Sequence, residues 1–117
     1  MNGPTLAGLS EDARDLLSTL ADGRSQTQHD LGYGLWGPPI RASVRRVQAA
    51  EQELRLAGWP LVSDADGVRL ADDPAEVRAC ADALRRRALT QLLTARALRA
   101  TAGQMAEPMT LWKEGGA

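Results

Sequence analysis

Positions 41, 45, 48, 52 and 55 of this 117-residue chain read Arg41, Arg45, Gln48, Gln52 and Arg55, at spacings of 4, 3, 4 and 3. On an α-helix such spacings place all five side chains on one face. None is an acid. A guanidinium forks bidentately onto O6 and N7 of guanine, and a carboxamide onto N6 and N7 of adenine. A helix carrying these groups along one edge suits a major groove. Arg and Gln also populate ordinary solvated helix faces. Glu51 and Glu53, on the flanks, would repel phosphates near the C-terminal half.

A second pattern lies further along. Positions 77, 81, 84, 88, 91, 95, 98, 102 and 105 are Val77, Ala81, Leu84, Ala88, Gln91, Ala95, Leu98, Ala102 and Met105, again at 4-3 spacing. That is the pattern of a coiled-coil seam, with small Ala residues permitting close approach and Gln91 as a lone polar residue that sets register. Its first half, through about Leu92, suits packing onto its own domain; beyond that, self-association as a homodimer is the expectation. Arg85, Arg86, Arg87, Arg96 and Arg99 make the same segment strongly basic. They suit DNA phosphates, the acidic block at 64–76, or solvent, and surface ion pairing is the commoner fate.

Other chemistry is sparse. A single His29 and a single Cys80 give no metal-ligand spacing and no internal disulfide. Cys80 reads as a small buried hydrophobe, and His29-Asp30 as a turn or cap. No phosphate loop, paired-carboxylate spacing or triad order is visible, so neither enzymatic activity nor a cofactor is expected. Pro108-Met109-Thr110-Leu111-Trp112 loosely resembles the short peptides that bind the bacterial sliding clamp, although the usual leading Gln is missing.

Composition sets the frame for these patterns. The length suits one small domain. Fourteen Lys+Arg against fifteen Asp+Glu give a net charge of -1, which excludes a uniformly basic coat but not a local basic face. By segment, residues 1–39 carry -3, 40–63 carry +2, 64–82 carry -4, 83–102 carry +5 and 103–117 carry -1. The near-neutral total is therefore a cancellation between blocks, and both basic blocks are helical in pattern. No apolar run approaches the roughly 18 residues of a membrane span. Met1–Ser10 lacks the basic and apolar halves of a signal peptide, so a reduced, cytoplasmic setting is expected.

The elements that must position the site are legible from breakers and caps. Ser10 caps a helix from about Glu11 to Ala21, with Leu9 as a staple, Ala13, Leu16, Leu17 and Leu20 as the buried stripe, and Gly23 closing it. Ser25 or Thr27 caps a short helix carrying Leu31 and Leu35, at a propensity cost of about 1 kcal/mol for each of Gly32 and Gly34. Gly37-Pro38-Pro39 turns the chain. A helix from Ile40 to Ala57 turns Ile40, Val44, Val47 and Leu54 inward with Ala50 between them, and ends at Gly58-Trp59-Pro60. Leu61–Ser63 and Val68–Leu70 flank an Asp64–Gly67 turn as a hairpin. Asp73 and Pro74 then open a helix that meets no breaker before Gly103.

Helix, short helix, turn, long helix and hairpin is the element order of a winged helix-turn-helix. The run from Val44 to Val77 resembles biotin-repressor-like and phage-type members of that family. The pieces that carry the likeness are Leu54-Arg55-Leu56-Ala57-Gly58, Trp59-Pro60, Val62-Ser63 through Gly67 to Leu70, and Asp72-Asp73-Pro74. The resemblance implies a mainly α fold with a small β-hairpin, divided into a flexible 1–9, a winged domain at 10–72, a dimerising helix at 73–103 and a flexible tail at 104–117. It further implies that Ser43, Arg45, Arg46 and Gln48 approach bases and phosphates, with Arg69 as the wing contact. Three departures stand out, the first being Gly32 and Gly34 in the second helix where small helix formers are usual. The stretch from Leu35 to Val44 is about two residues longer than the usual turn, and the wing tip carries Asp64 and Asp66. The expected function is specific binding of double-stranded DNA by a bacterial or phage transcriptional regulator, acting as a dimer on half-sites about one helical turn apart. The competing expectation is a winged protein-interaction or adaptor module, such as a phage or plasmid replication partner, with Met109, Leu111 and Trp112 as a docking tail.

Overall fold

The computed structural model describes residues 4–106. Its elements are α1 (Glu11–Thr19), α2 (Gln28–Trp36), α3 (Ile40–Leu56), β1 (Leu61–Asp64), β2 (Gly67–Leu70) and α4 (Pro74–Met105). The protein is mainly helical, with one two-stranded antiparallel hairpin and a long C-terminal helix. It divides into two compact units, Met1–Cys80 and Ala81–Ala117. That boundary falls inside α4, not at its start. Arg69 of β2 grips Glu76 with two hydrogen bonds of 2.8 and 3.1 Å, which ties the first turn of α4 to the hairpin.

Within the first unit, Ala13, Leu16, Leu17 and Leu20 meet Leu31 of α2, Val47, Ala50 and Leu54 of α3, and Leu61 and Val68 of the hairpin. Three of the four helix starts have a side-chain cap; α3, which follows Pro39, has none. Ser10 Oγ accepts from the Ala13 N–H, and Thr27 Oγ from the Asp30 N–H. Asp73 Oδ1 accepts from the Ala75 N–H. These bonds satisfy donors that the first helical turn leaves without intrahelical partners. The segment before Ser10, expected to be flexible, is held over Thr5–Leu9. The Trp59 indole donates to the Thr5 carbonyl, Arg14 donates to the carbonyls of Leu6 and Leu9, and Leu9 packs on the core.

The link between α2 and α3 contains only Gly37, Pro38 and Pro39, because α2 runs on to Trp36 and α3 starts at Ile40. The two-residue excess expected from the sequence is absorbed into the helices. Gly37 takes φ +66°, a left-handed conformation that suits glycine. Gly32 has a different use. A Cβ there would meet the Ser43 backbone carbon and Cβ at 3.0 Å, so its missing side chain lets α2 and α3 cross closely. That approach also shifts the buried stripe of α3. It runs Ser43, Val47, Ala50, Glu51 and Leu54, while Ile40 and Val44 are only half-buried.

The hairpin pairs Leu61 with Leu70, Val62 with Arg69, Ser63 with Val68 and Asp64 with Gly67, one pair longer than expected. A third backbone segment joins it. Gln26 N–H donates to the Val68 carbonyl at 3.0 Å, and Val68 N–H returns a bond to the Gln26 carbonyl at 2.8 Å. Gly67, at φ +126°, passes so close to this segment that a Cβ would overlap the Gln26 carbonyl.

In the second unit α4 continues unbroken to Met105, through Gly103 where its end was expected. None of its residues is buried. Among the seam positions, Leu84, Leu98 and Met105 are exposed, as are Ala88, Gln91, Ala95 and Ala102. Leu89, Leu92 and Leu93 are exposed too, and lie outside the seam. At 3.6 residues per turn, Leu93 stands about half a turn around the helix from Leu84. No helix among the described residues is long and apolar enough to cross a membrane.

Candidate nucleic-acid interface

α3 sets the geometry of the candidate site. Its core stripe faces α1 and α2, so Arg41, Arg45, Gln48 and Gln52 are left exposed to solvent. Neither guanidinium of Arg41 and Arg45, nor the Gln52 amide, makes a hydrogen bond or ion pair with another described residue. Gln48 makes one bond, donating through Nε2 to Gln28 Oε1 at 3.2 Å.

Four other nominated residues have structural employment. Ser43 is buried, and its hydroxyl donates to the Gly37 carbonyl, closing the turn between α2 and α3. Ser43 does not face bases as the resemblance implies, because the close crossing at Gly32 takes it inside. Arg46 forks onto Asp12 at 2.8 and 3.1 Å and stacks over the Trp36 ring at 4.2 Å. The hydrogen bond from Arg46 holds the Asp12 carboxyl below its ordinary range, and Arg46 is in turn held above its own. Arg46 thus links α1, α2 and α3, though its side chain remains about half exposed. Arg55 points toward the hairpin, donating to the Leu61 carbonyl at 3.1 Å and Ser63 Oγ at 3.2 Å. Arg69, nominated as the wing contact, is committed to Glu76 and lies 3.5 Å from Asp64, and the Glu76 bond raises its pKa. The exposed turn between β1 and β2 is left with Asp64 and Asp66.

A polar chain that helical spacing does not reveal lies beneath this face. Glu51 is buried in α3. It accepts from Gln28 Nε2 at 3.1 and 3.2 Å and stands 4.0 Å from the Arg55 guanidinium. Burial raises its pKa, while Gln28 and then Arg55 pull it back. Spacing alone places Glu51 only on a flank of the α3 face. Its one signal in the sequence was its place next to Ala50 and three residues before Leu54, on the edge of the apolar stripe.

Elsewhere in the first unit an open groove of about 530 Å³ is lined in part by Pro60, Val77, Asp72 and Arg78. No α3 residue lines it. Among the described residues no cluster of three His, Cys, Asp or Glu side chains is placed to hold a metal ion. Met109, Leu111 and Trp112 lie outside the described residues. No protein-family model, curated protein or solved structure matches this chain.

Proposed function

We propose that the chain is a winged helix-turn-helix regulator of bacterial or phage type that binds a specific double-stranded DNA site in the cytoplasm. The observation that carries this reading is the outward face of α3. It presents Arg41, Arg45, Gln48 and Gln52 together, exposed and without an acid among them. Two cations and two carboxamides at helical spacing are the groups that read purine edges in a major groove. Three-residue linkage to α2 and a hairpin directly after α3 support the docking mode. Dimerisation through the exposed Leu84–Met105 seam of α4 completes the reading, since two copies read two half-sites.

Readout falls to Arg45 and Gln48, with Arg41 and Gln52 beside them. Arg46 retains partial exposure for a phosphate, while Arg69 and Ser43 act on the fold alone. Selection of bound duplexes from a random pool, followed by a salt titration, tests this. A specific site should be enriched, and its affinity should fall steeply with salt. Arg45→Ala should lower the salt slope by about one if Arg45 meets phosphate, or relax preference at one base if it meets guanine. Absence of enrichment even at low salt sinks the reading.

One observation favours a second reading, an adaptor module that contacts protein. The wing offers exposed Asp64 and Asp66, and its only cation is neutralised internally. Under that reading, α3 variants leave nucleic-acid binding untouched because there is none to lose.

A further inference from the structure

We propose that Glu51, acting through Gln28, is a positioning residue that locks the Gln48 carboxamide in the orientation that reads adenine. This deepens the DNA-binding reading and rests on it.

The geometry is a relay of three side chains from two helices. Gln28, at the start of α2, lies between Glu51 and Gln48 of α3. Its Nε2 donates to both Glu51 oxygens, at 3.1 and 3.2 Å, and its Oε1 accepts from Gln48 Nε2 at 3.2 Å. A carboxylate only accepts hydrogen bonds, whereas a carboxamide has one accepting and one donating end. Glu51 therefore compels Gln28 to turn its nitrogen inward and its oxygen toward Gln48. That oxygen in turn compels Gln48 to face it with nitrogen. Each amide orientation follows from the one before it, and the series starts from an acid that is buried and cannot turn away to water.

The outer end of the relay has a chemical identity. With one N–H committed to Gln28, Gln48 retains its carbonyl oxygen and a second N–H for a partner. Adenine presents the matching pair in the major groove, N6–H as donor and N7 as acceptor. Were the Gln48 amide reversed, its oxygen would be spent on Gln28 and only N–H donors would face outward. Guanine, with acceptors at both O6 and N7, would then be the better partner. The buried acid thus selects between two purines without touching either.

Glu51→Gln removes the lock while preserving shape, because a carboxamide at 51 satisfies Gln28 in either orientation. The test is selection from a random duplex pool with wild type, Glu51→Gln, Gln28→Leu and Gln48→Ala, with melting curves to confirm that each variant is folded. Wild type should prefer adenine at one position by about 5- to 150-fold, the span of one bidentate contact. Gln48→Ala should lose preference at that position. Glu51→Gln should admit guanine there as readily as adenine while preferences elsewhere in the site stay unchanged. Gln28→Leu should relax the same position and supplies the answer if Glu51→Gln does not fold. Adenine preference retained in Glu51→Gln or Gln28→Leu, or weakening spread evenly over the whole site, overturns the lock and leaves DNA binding intact. A wild type that enriches no site overturns the DNA reading and the lock with it.

Discussion

The Glu53 carboxylate of α3 accepts both the backbone N–H and the hydroxyl of Ser10, each at 2.6 Å, across 43 residues of chain. Ser10 meanwhile caps α1 by accepting from Ala13. In an ordinary capping box the acid comes from three residues further along the same helix. Here another helix supplies it, so one carboxylate both completes the α1 cap and fastens α1 to α3. Ser10→Ala should cost about 0.5–2 kcal/mol, the range for loss of an N-cap. In a double-mutant cycle, Ser10→Ala and Glu53→Gln should be non-additive. Additive losses in melting experiments would show that the two act separately.

Acid titration should separate Glu53 from Glu51. The hydrogen bonds from Ser10 hold Glu53 below its ordinary 4.5. A lowered folded value means that its contribution is present above 4.5 and lost as pH falls through the folded value. Burial raises Glu51 instead, so its contribution is present below 4.5 and lost as pH rises through the raised value. Glu53→Gln should therefore flatten the fall in Tm on acidification. Relative to wild type, Glu51→Gln should gain stability as pH rises from 4.5 toward neutrality. Parallel Tm profiles for all three proteins would contradict both assignments.

Gly32 and Gly34 sit two residues apart in one helix, yet their Ala variants should differ in sign. At Gly34 nothing lies within 4 Å of a built Cβ, so Gly34→Ala should stabilise by about 0.5–1 kcal/mol through helix propensity. At Gly32 the obstruction is the Ser43 backbone, which cannot rotate aside. Gly32→Ala should force α3 outward at a cost of about 1–3 kcal/mol. Chemical denaturation of the two variants reads this directly, and a shared sign would rule out the close crossing.

The proposed DNA binding sets Arg69, a structural charge, against Arg45, which has no partner among the described residues. Arg69→Ala should lower Tm by freeing Glu76 and Asp64, while leaving the salt slope of DNA binding unchanged. Arg45→Ala should leave Tm unchanged and act on DNA binding alone. A reduced slope in Arg69→Ala would restore the hairpin as a phosphate contact.

The proposed self-association of α4 should strengthen with salt. Residues 83–102 hold five arginines and no acid, so pairing two copies brings like charges together. Screening tightens from about 10 Å at 0.1 M to about 3 Å at 1 M. Sedimentation should show more dimer at high salt, the opposite trend to DNA binding, and Ala95→Glu should remove it. A monomer at every salt concentration would end the dimer proposal.

Periodicity and end signals alone were enough to locate the elements. Ser10, Thr27, Asp73-Pro74 and Gly58 act through bonds and dihedrals within a few residues, and local chemistry of that kind is written in local sequence. The outward face of α3 was legible for the same reason, since helical spacing decides which residues share a side. What spacing does not contain is the depth at which two elements meet. Gly32 read as a propensity cost until α3 lay against it, and that contact took Ser43 inside and left Val44 half-buried. Arg46, Arg55 and Arg69 were equivalent to Arg45 as charges; only the arrival of Asp12, the hairpin and Glu76 beside them distinguished them. The Gln26 bridge to Val68 joins residues 42 apart in sequence, beyond the reach of any turn signal. Tertiary structure decided the partner of each charged side chain, because electrostatics and hydrogen bonding depend on distances in space that only packing sets.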